Sequence, residues 1–421
     1  MAHNNDFDHV AGNGLINRRH LLELGLAGLG AAATGSALAA EATPAIQPWQ
    51  KTPGPGPSGY GAPSPATAHL QRLAATPNSA APGTGSSRTP LQHLRGTLTP
   101  NSLHFERHHS GVPAIDPAQH QLVIHGLVAQ PLVFSYEDLL AYPLHSRVYF
   151  LECSGNSGAN TAPNPDDGTA ASLHGLLSCA EWTGVSLSTL LDQAGVDPAA
   201  TWVTATGADA ASMGRSIPLG KAMDDVLIAL YQNGEPIRPE QGYPMRLFVP
   251  GWEGNVSVKW LTQIKLTDQP ANFRDETSRY TDLLADGRSL QFTFPMGVKS
   301  LITSPSGQMV LRRQGVHQIT GLAWSGHGAI RQVQVSADGG QSWADARLET
   351  VNQGLSLTRF HLPWLWQGGP ATLQSRATDA RGNVQPGRDS WLAQYGANRY
   401  HYNAIQSWAV SAQGEVKNVY A

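Results

Sequence analysis

Glycine and proline punctuate this chain so often, 44 and 29 times in 421 residues, that it favours short strands and ordered loops over long helices. Proline fixes φ and removes a backbone donor, and glycine inside an element costs entropy. Eleven tryptophans supply large apolar side chains to a chain long enough for two or three domains. The formal net charge is −3 and charged residues make up only 14%. That argues against a basic nucleic-acid surface or an acidic interaction tail.

The punctuation divides the chain into four stretches. In residues 1–40, Asn17-Arg18-Arg19-His20-Leu21-Leu22 leads into the weakly apolar Leu24-Gly-Leu-Ala-Gly-Leu-Gly-Ala-Ala-Ala33, and Ala37-Leu38-Ala39 offers small residues to a peptidase. Paired arginines before such a segment resemble a twin-arginine export signal, which predicts a periplasmic destination; a tail with a chance arginine pair is the alternative. The segment is short and carries Glu23, so no stable membrane span is expected. Residues 41–96 include Pro53-Gly-Pro-Gly-Pro-Ser-Gly-Tyr-Gly61 and are too poor in apolar surface to fold alone, so they are expected to wrap the surface or stay mobile.

Residues 97–294 read as a mixed α/β region. Strand-like runs are Gln121-Leu-Val-Ile-His125, Arg147-Val-Tyr-Phe-Leu151, Trp202-Val-Thr-Ala-Thr206 and Met245-Arg-Leu-Phe-Val249. Short helices are predicted over Tyr136–Ala141, with Ser135 as N-cap, and over Leu187–Gln193; Asn233-Gly234 marks a turn. Residues 295–421 read as all-β. Ile330-Arg-Gln-Val-Gln-Val-Ser336 alternates, Ala337-Asp-Gly-Gly340 turns the chain, Ser342-Trp343 starts again, and Leu373–Asn383 is another strand with its turn. The whole is therefore α+β: a mixed α/β domain followed by an immunoglobulin-like sandwich.

Chemistry concentrates at Cys153, where Val148-Tyr-Phe-Leu151 breaks into Glu152-Cys-Ser-Gly-Asn156. A thiol on a strand-to-loop junction suits a soft-metal ligand or a nucleophile. The only other cysteine is Cys179. It reads as a small buried hydrophobe, and an export destination also leaves a Cys153–Cys179 disulfide open.

Several blocks occur in order: Phe105-Glu-Arg-His-His109, Glu152-Cys-Ser-Gly-Asn156, Glu181-Trp-Thr-Gly-Val-Ser-Leu187, Val249-Pro-Gly251 and Ser257-Val-Lys-Trp-Leu261. Together they resemble the sulfite oxidase family of molybdenum enzymes, over roughly residues 97–400. The resemblance implies a molybdopterin domain with its molybdenum–molybdopterin cofactor, and a sandwich that serves dimerisation. It makes Cys153 the metal ligand, completing a dithiolene-held metal with a soft anion. It implies cofactor contacts from Phe105, Glu106, Arg107, His108 and His109, from Asp209, Gln241 and Arg246, and from Ser257, Val258 and Lys259. At position 241 the family often has histidine; glutamine can hydrogen-bond but brings no charge. Arg107 and Tyr280 are implied to face substrate, with Cys153 the third catalytic residue.

Two positions depart from the pattern. Sulfite oxidases follow the cysteine motif with two arginines that build an anion pocket; here those positions are Ser157 and Gly158. Their C-terminal arginine is not clearly matched, with Gln394 near that place and Arg388 and Arg399 close by. Fewer cations imply a less charged or larger substrate. Within the family the chain most resembles the SoxC type, the molybdenum subunit of a sulfane dehydrogenase. That implies oxidation of sulfur bound to a carrier-protein cysteine, with oxygen drawn from water. A direct sulfite dehydrogenase is the alternative. No Cys-x-x-Cys-His motif is present, so no haem is expected in this chain and electrons are expected to leave for a c-type cytochrome subunit. A homodimer within a hetero-oligomer follows from the same resemblance.

Overall fold

The structure is a computed structural model that describes residues 9–17, 47–53, 56–74, 82–284, 286–349, 354–397 and 401–421. The arginine pair at 18–19 and the small residues at 37–39 lie outside them.

The described residues of the mixed region hold four sheets, one of them only the two-stranded ladder of Thr281–Leu283 and Ser289–Gln291. In the first, Leu144–Glu152 runs antiparallel to Leu177–Ser186, which pairs with Leu227–Gln232; Glu235–Pro236 and Arg246–Phe248 both pair with that last strand. In the second, the order is Gly214–Pro218, Trp202–Gly207, Leu261–Thr267, Leu122–Gly126, Leu132–Phe134, with one parallel pair between Leu261–Thr267 and Leu122–Gly126. The third is small: Leu73–Ala74, Gly85–Arg88 and Glu106–His108.

Local chemistry explains the helices. Ser135 accepts from the Asp138 amide while Asp138 reaches back to the Ser135 amide, a reciprocal cap that starts Tyr136–Leu140. Leu187–Ala194 buries Leu187, Leu190, Leu191 and Ala194, one stripe at helical spacing, and ends at Gly195 with φ +70°. The segment around Cys179 is a central strand, and Cys179 is buried in it. Both cysteines are free, so the disulfide alternative is not realised.

The C-terminal part is a sandwich. One sheet centres on Gly315–Trp324 between Lys299–Ser304 and Thr358–Trp366; the other contains Ile330–Ser336, Ala371–Asp379, Ser407–Val410 and Val416–Val419. Trp324, Trp364 and Trp408 are fully buried between them. A register shift between Ile330 and Gln332 lets Ile330, Val333 and Val335 all face inward, which strict alternation does not allow. The strand expected from Ser342 begins at Ala344 and is two residues long. The same core takes in Phe150, Leu173, Leu177 and Cys179 of the mixed region, whose main apolar core around Leu122, Val203 and Leu247 is separate.

The N-terminal stretches also contribute. Residues 9–17 form a small hairpin on the sandwich edge, with Leu15 opposite Trp364 and Leu15 and Ile16 fully buried. Gly85–Arg88 lies beside Glu106–His108, and Arg72 holds Glu106 at 2.7 Å. No described helix is long and apolar enough to cross a membrane.

Candidate active site

Cys153 sits where a ladder ends. Leu144–Glu152 stays paired up to Glu152 opposite Leu177, and the Cys153 amide donates to the Leu176 carbonyl at 3.0 Å. The chain then folds back, the Asn156 amide donating to the Cys153 carbonyl, and Ser157 takes φ +68°. The buried Asn156 side chain pins this loop from both sides: Nδ2 donates to Glu152 Oε1 at 2.9 Å and Oδ1 accepts from the Leu176 amide at 3.1 Å. Gly254 is required opposite, because a Cβ there would lie 2.7 Å from the Glu152 carbonyl oxygen. Asn156 thus shapes the loop instead of lining the cavity.

Cys153 lines a cleft that opens to solvent. Burial pushes the Cys153 thiol up; the Gly155 amide and the Arg107 guanidinium pull the other way. The strand Glu106–His108 and its neighbours form one wall, with Phe105, Arg107 and His109 facing the same space. Phe105 is fixed by its amide donating to Ser178 Oγ at 3.0 Å and its carbonyl accepting from Gln241 Nε2 at 2.8 Å. His108 accepts at Nδ1 from Lys259 Nζ (2.8 Å) and donates from Nε2 to Glu106 Oε2 (2.7 Å), the assignment an ammonium donor requires. Burial lowers the His108 pKa, and the His108 hydrogen bond brings Glu106 down to about 2.

Two cations close the opposite wall. Arg246 is buried and donates to the Gln241 and Ser257 carbonyls at 3.0 and 2.8 Å. Lys259 donates to the Arg107 and Glu240 carbonyls and lies over the Trp260 ring at 4.3 Å. Burial brings Arg246 down to about 9 and Lys259 well below the usual lysine range. Neither is ion-paired to a carboxylate among the described residues, and Arg246 Nε is buried without a partner. Ser257 Oγ accepts from the Val249 amide, which holds the Ser257–Lys259 turn; Val258 is buried beside it. Asp209 lines the rim, accepting from Ser110 Oγ and the Met213 amide.

Tyr280 completes the mouth. Its hydroxyl is 3.2 Å from His109 Nε2, and burial and Arg107 bring His109 down to about 4, so that imidazole is neutral. Every residue expected at the site therefore lines one cavity.

The arginine departures resolve differently from one another. Ser157 is buried behind the loop, bonded to His174 and Lys299, and does not line the cavity. Gly158 has no atom within 4 Å of where a Cβ would stand, but it does not line the cavity either. Arg388 donates to the Asn160 and Ala162 carbonyls and Gln394 is exposed; neither lines the cavity, and Arg399 lies outside the described residues.

Sequence reasoning missed Arg215, which is buried with its guanidinium 4.7 Å from the Tyr280 ring centre. No local pattern marks it, since Tyr280 comes from another loop. Trp260, within the block Ser257–Leu261, also lines the cavity and stacks with His108 at 6.0 Å.

Residues 109–274 match the oxidoreductase molybdopterin binding domain, and residues 291–408 the Mo-co oxidoreductase dimerisation domain. The chain is 31% identical to sulfite oxidase of Gallus gallus over 316 residues, which is 69% of this chain and 68% of that one. It is 32% identical to mitochondrial sulfite oxidase of Mus musculus over 318 residues and spans 58% of it. It is 29% identical to an NADH nitrate reductase of Ulva prolifera and spans 39% of that protein. This chain belongs to the sulfite oxidase family of molybdopterin oxidoreductases. Among solved structures it is similar to the sulfane dehydrogenase SoxCD from Paracoccus pantotrophus, with a TM-score of 0.86 and 44% identity, covering 89% of this chain and 97% of that one.

The residues present fit a molybdopterin. Two buried cations without carboxylate partners, one with an unsatisfied N–H, suit its phosphate and ring acceptors. Among the described residues no cluster of three or more His, Cys, Asp or Glu could hold a metal by itself. Cys153 would thus be one ligand beside those the pterin supplies.

Proposed function

We propose that this protein is a periplasmic molybdenum oxidoreductase that oxidises sulfane sulfur held on a carrier-protein cysteine. Electrons would pass to a c-type cytochrome subunit, and the chain would act as a homodimer within a hetero-oligomer. The observation that carries the substrate is the missing pair of arginines: Ser157 and Gly158 stand in their place, and neither brings a cation to the cavity. A sulfur atom on a peptide arm needs room and little charge; a small dianion needs cations fixed around its oxygens. The similarity to a protein named a sulfane dehydrogenase supports the same substrate class.

The bound cofactor supplies two-electron oxygen-atom transfer. The chain's residues do the rest. Cys153 would hold the metal as a thiolate, a proton loss that burial of the thiol opposes. Arg246 and Lys259 would hold the cofactor's phosphate, and Arg246 Nε would gain the partner it lacks. Arg107 offers its guanidinium to negative charge developing on the sulfur's oxygen. Tyr280, held by neutral His109, donates or accepts a hydrogen bond at that oxygen.

Steady-state assays with ferricytochrome c test the substrate. A carrier loaded with persulfide should give a higher kcat/KM than free sulfite, and Gly158→Arg should move the preference toward sulfite. Rapid turnover of sulfite by the unaltered protein, with no response to the carrier, refutes the reading and favours a sulfite dehydrogenase. Cell fractionation with sequencing of the mature N-terminus tests export.

A further inference from the structure

A buried polar network stands directly behind the cysteine loop, and it comes largely from the other domain. Glu152, the residue before Cys153, is fully buried and takes three donors: Lys299 Nζ at 2.9 Å, Asn156 Nδ2 at 2.9 Å and Trp324 Nε1 at 2.7 Å. Lys299 and Trp324 belong to the sandwich. Lys299 Nζ also donates to Ser157 Oγ at 2.7 Å, and Ser157 Oγ lies 2.6 Å from His174 Nδ1. His174 Nε2 meets Gln406 Oε1, again from the sandwich, at 3.0 Å.

The residues on either side of the loop are therefore held by one ammonium. Glu152 precedes Cys153 and Ser157 closes the turn after it. Ser157 stands where the family pattern has an arginine, and the cation at this place arrives instead from Lys299. Because the Lys299 side chain is only 2% exposed and paired with Glu152, its charge is spent on the loop and not on substrate. Groups that hold a metal ligand from behind fix its direction and the metal's electronic state.

We propose that Lys299 is a positioning residue for the Cys153 thiolate, so that the ligand takes its working direction only when the sandwich is docked. This rests on Cys153 being the molybdenum ligand. The test uses the cofactor-loaded protein. Lys299→Gln keeps a donor near Glu152 and Ser157 but removes the charge. The readouts are molybdenum per chain, the Mo(V) paramagnetic resonance spectrum, and kcat separately from KM. The expected result is a shifted or split Mo(V) spectrum, kcat lower by about tenfold and KM changed by less than about twofold, with Lys299→Arg restoring part of both. A wild-type spectrum and kcat in Lys299→Gln overturn the proposal and leave Lys299 as a domain contact only. Should Lys299→Gln fail to fold, Lys299→Met with Glu152→Gln withdraws both charges together and is judged by the same spectrum. Unaltered protein that carries no molybdenum removes the ligand reading itself, and shows before any variant is made.

Discussion

Replacing Arg246 by methionine should separate two things that usually fall together: stability of the cofactor-free fold and retention of the cofactor. Arg246 is buried, and its pKa is brought from the usual 12.5 to about 9 by burial. At about 1.4 kcal/mol per unit, keeping that charge inside costs the empty protein on the order of 5 kcal/mol. Its two hydrogen bonds, to the Gln241 and Ser257 carbonyls, return about 1.5–3 kcal/mol each. The two sides nearly cancel, so Arg246→Met should change cofactor-free stability by no more than about 2 kcal/mol in either direction. Breaking a fully paired buried charge would instead cost about 3–5 kcal/mol. The cofactor's phosphate, by contrast, loses a charge-assisted partner, and its affinity should fall by about tenfold to a hundredfold. Urea unfolding of the cofactor-free chain gives the first quantity. Molybdenum and pterin fluorescence remaining after gel filtration give the second. A loss of more than about 3 kcal/mol with unchanged retention would refute the reasoning, because Arg246 would then be a structural residue.

Other expectations are simpler. Burial holds His104 and His174 at about 3 in the fold, against 6.5 when exposed. Stability from their neutral state is full above pH 6.5 and is lost as pH falls toward 3, about 2 kcal/mol per histidine at pH 5. Urea midpoints between pH 7 and 5 check this, and His174→Gln should flatten the slope. Asn156→Ala leaves the Leu176 amide and Glu152 each short of a partner; it should cost about 2–4 kcal/mol by urea unfolding. Tyr280→Phe should leave the melting temperature unchanged and lower kcat by about ten- to a hundredfold, and an unchanged kcat would remove Tyr280 from the chemistry.

What could be read from the sequence was what is set locally. The Ser135 cap, the stripe Leu187, Leu190, Leu191, Ala194 and the turn at Asn233-Gly234 depend on neighbours within one or two turns of chain. The cavity residues were legible for a different reason: each lies in a block whose spacing is distinctive, and the fold brings the blocks to one cavity. Residues 85–88, Gly-Ser-Ser-Arg, carry no strand signal and become a strand by pairing with Leu73–Ala74 on one side and Glu106–His108 on the other. Lys299 is 147 residues from Glu152, so their pairing is a property of domain docking that no window of sequence contains. The same docking reassigns Ser157. By sequence alone it is a lost cation of the substrate pocket; in three dimensions it faces away from the cavity and is held by Lys299.

X-ray absorption at the molybdenum edge addresses the ligand atom itself. Purified protein should show the dithiolene sulfurs plus one further sulfur at bonding distance, and Cys153→Ser should lose that one while the chain stays folded and inactive. An identical sulfur count in the two proteins, or full turnover by the serine variant, would place the metal's protein ligand elsewhere and undo the account.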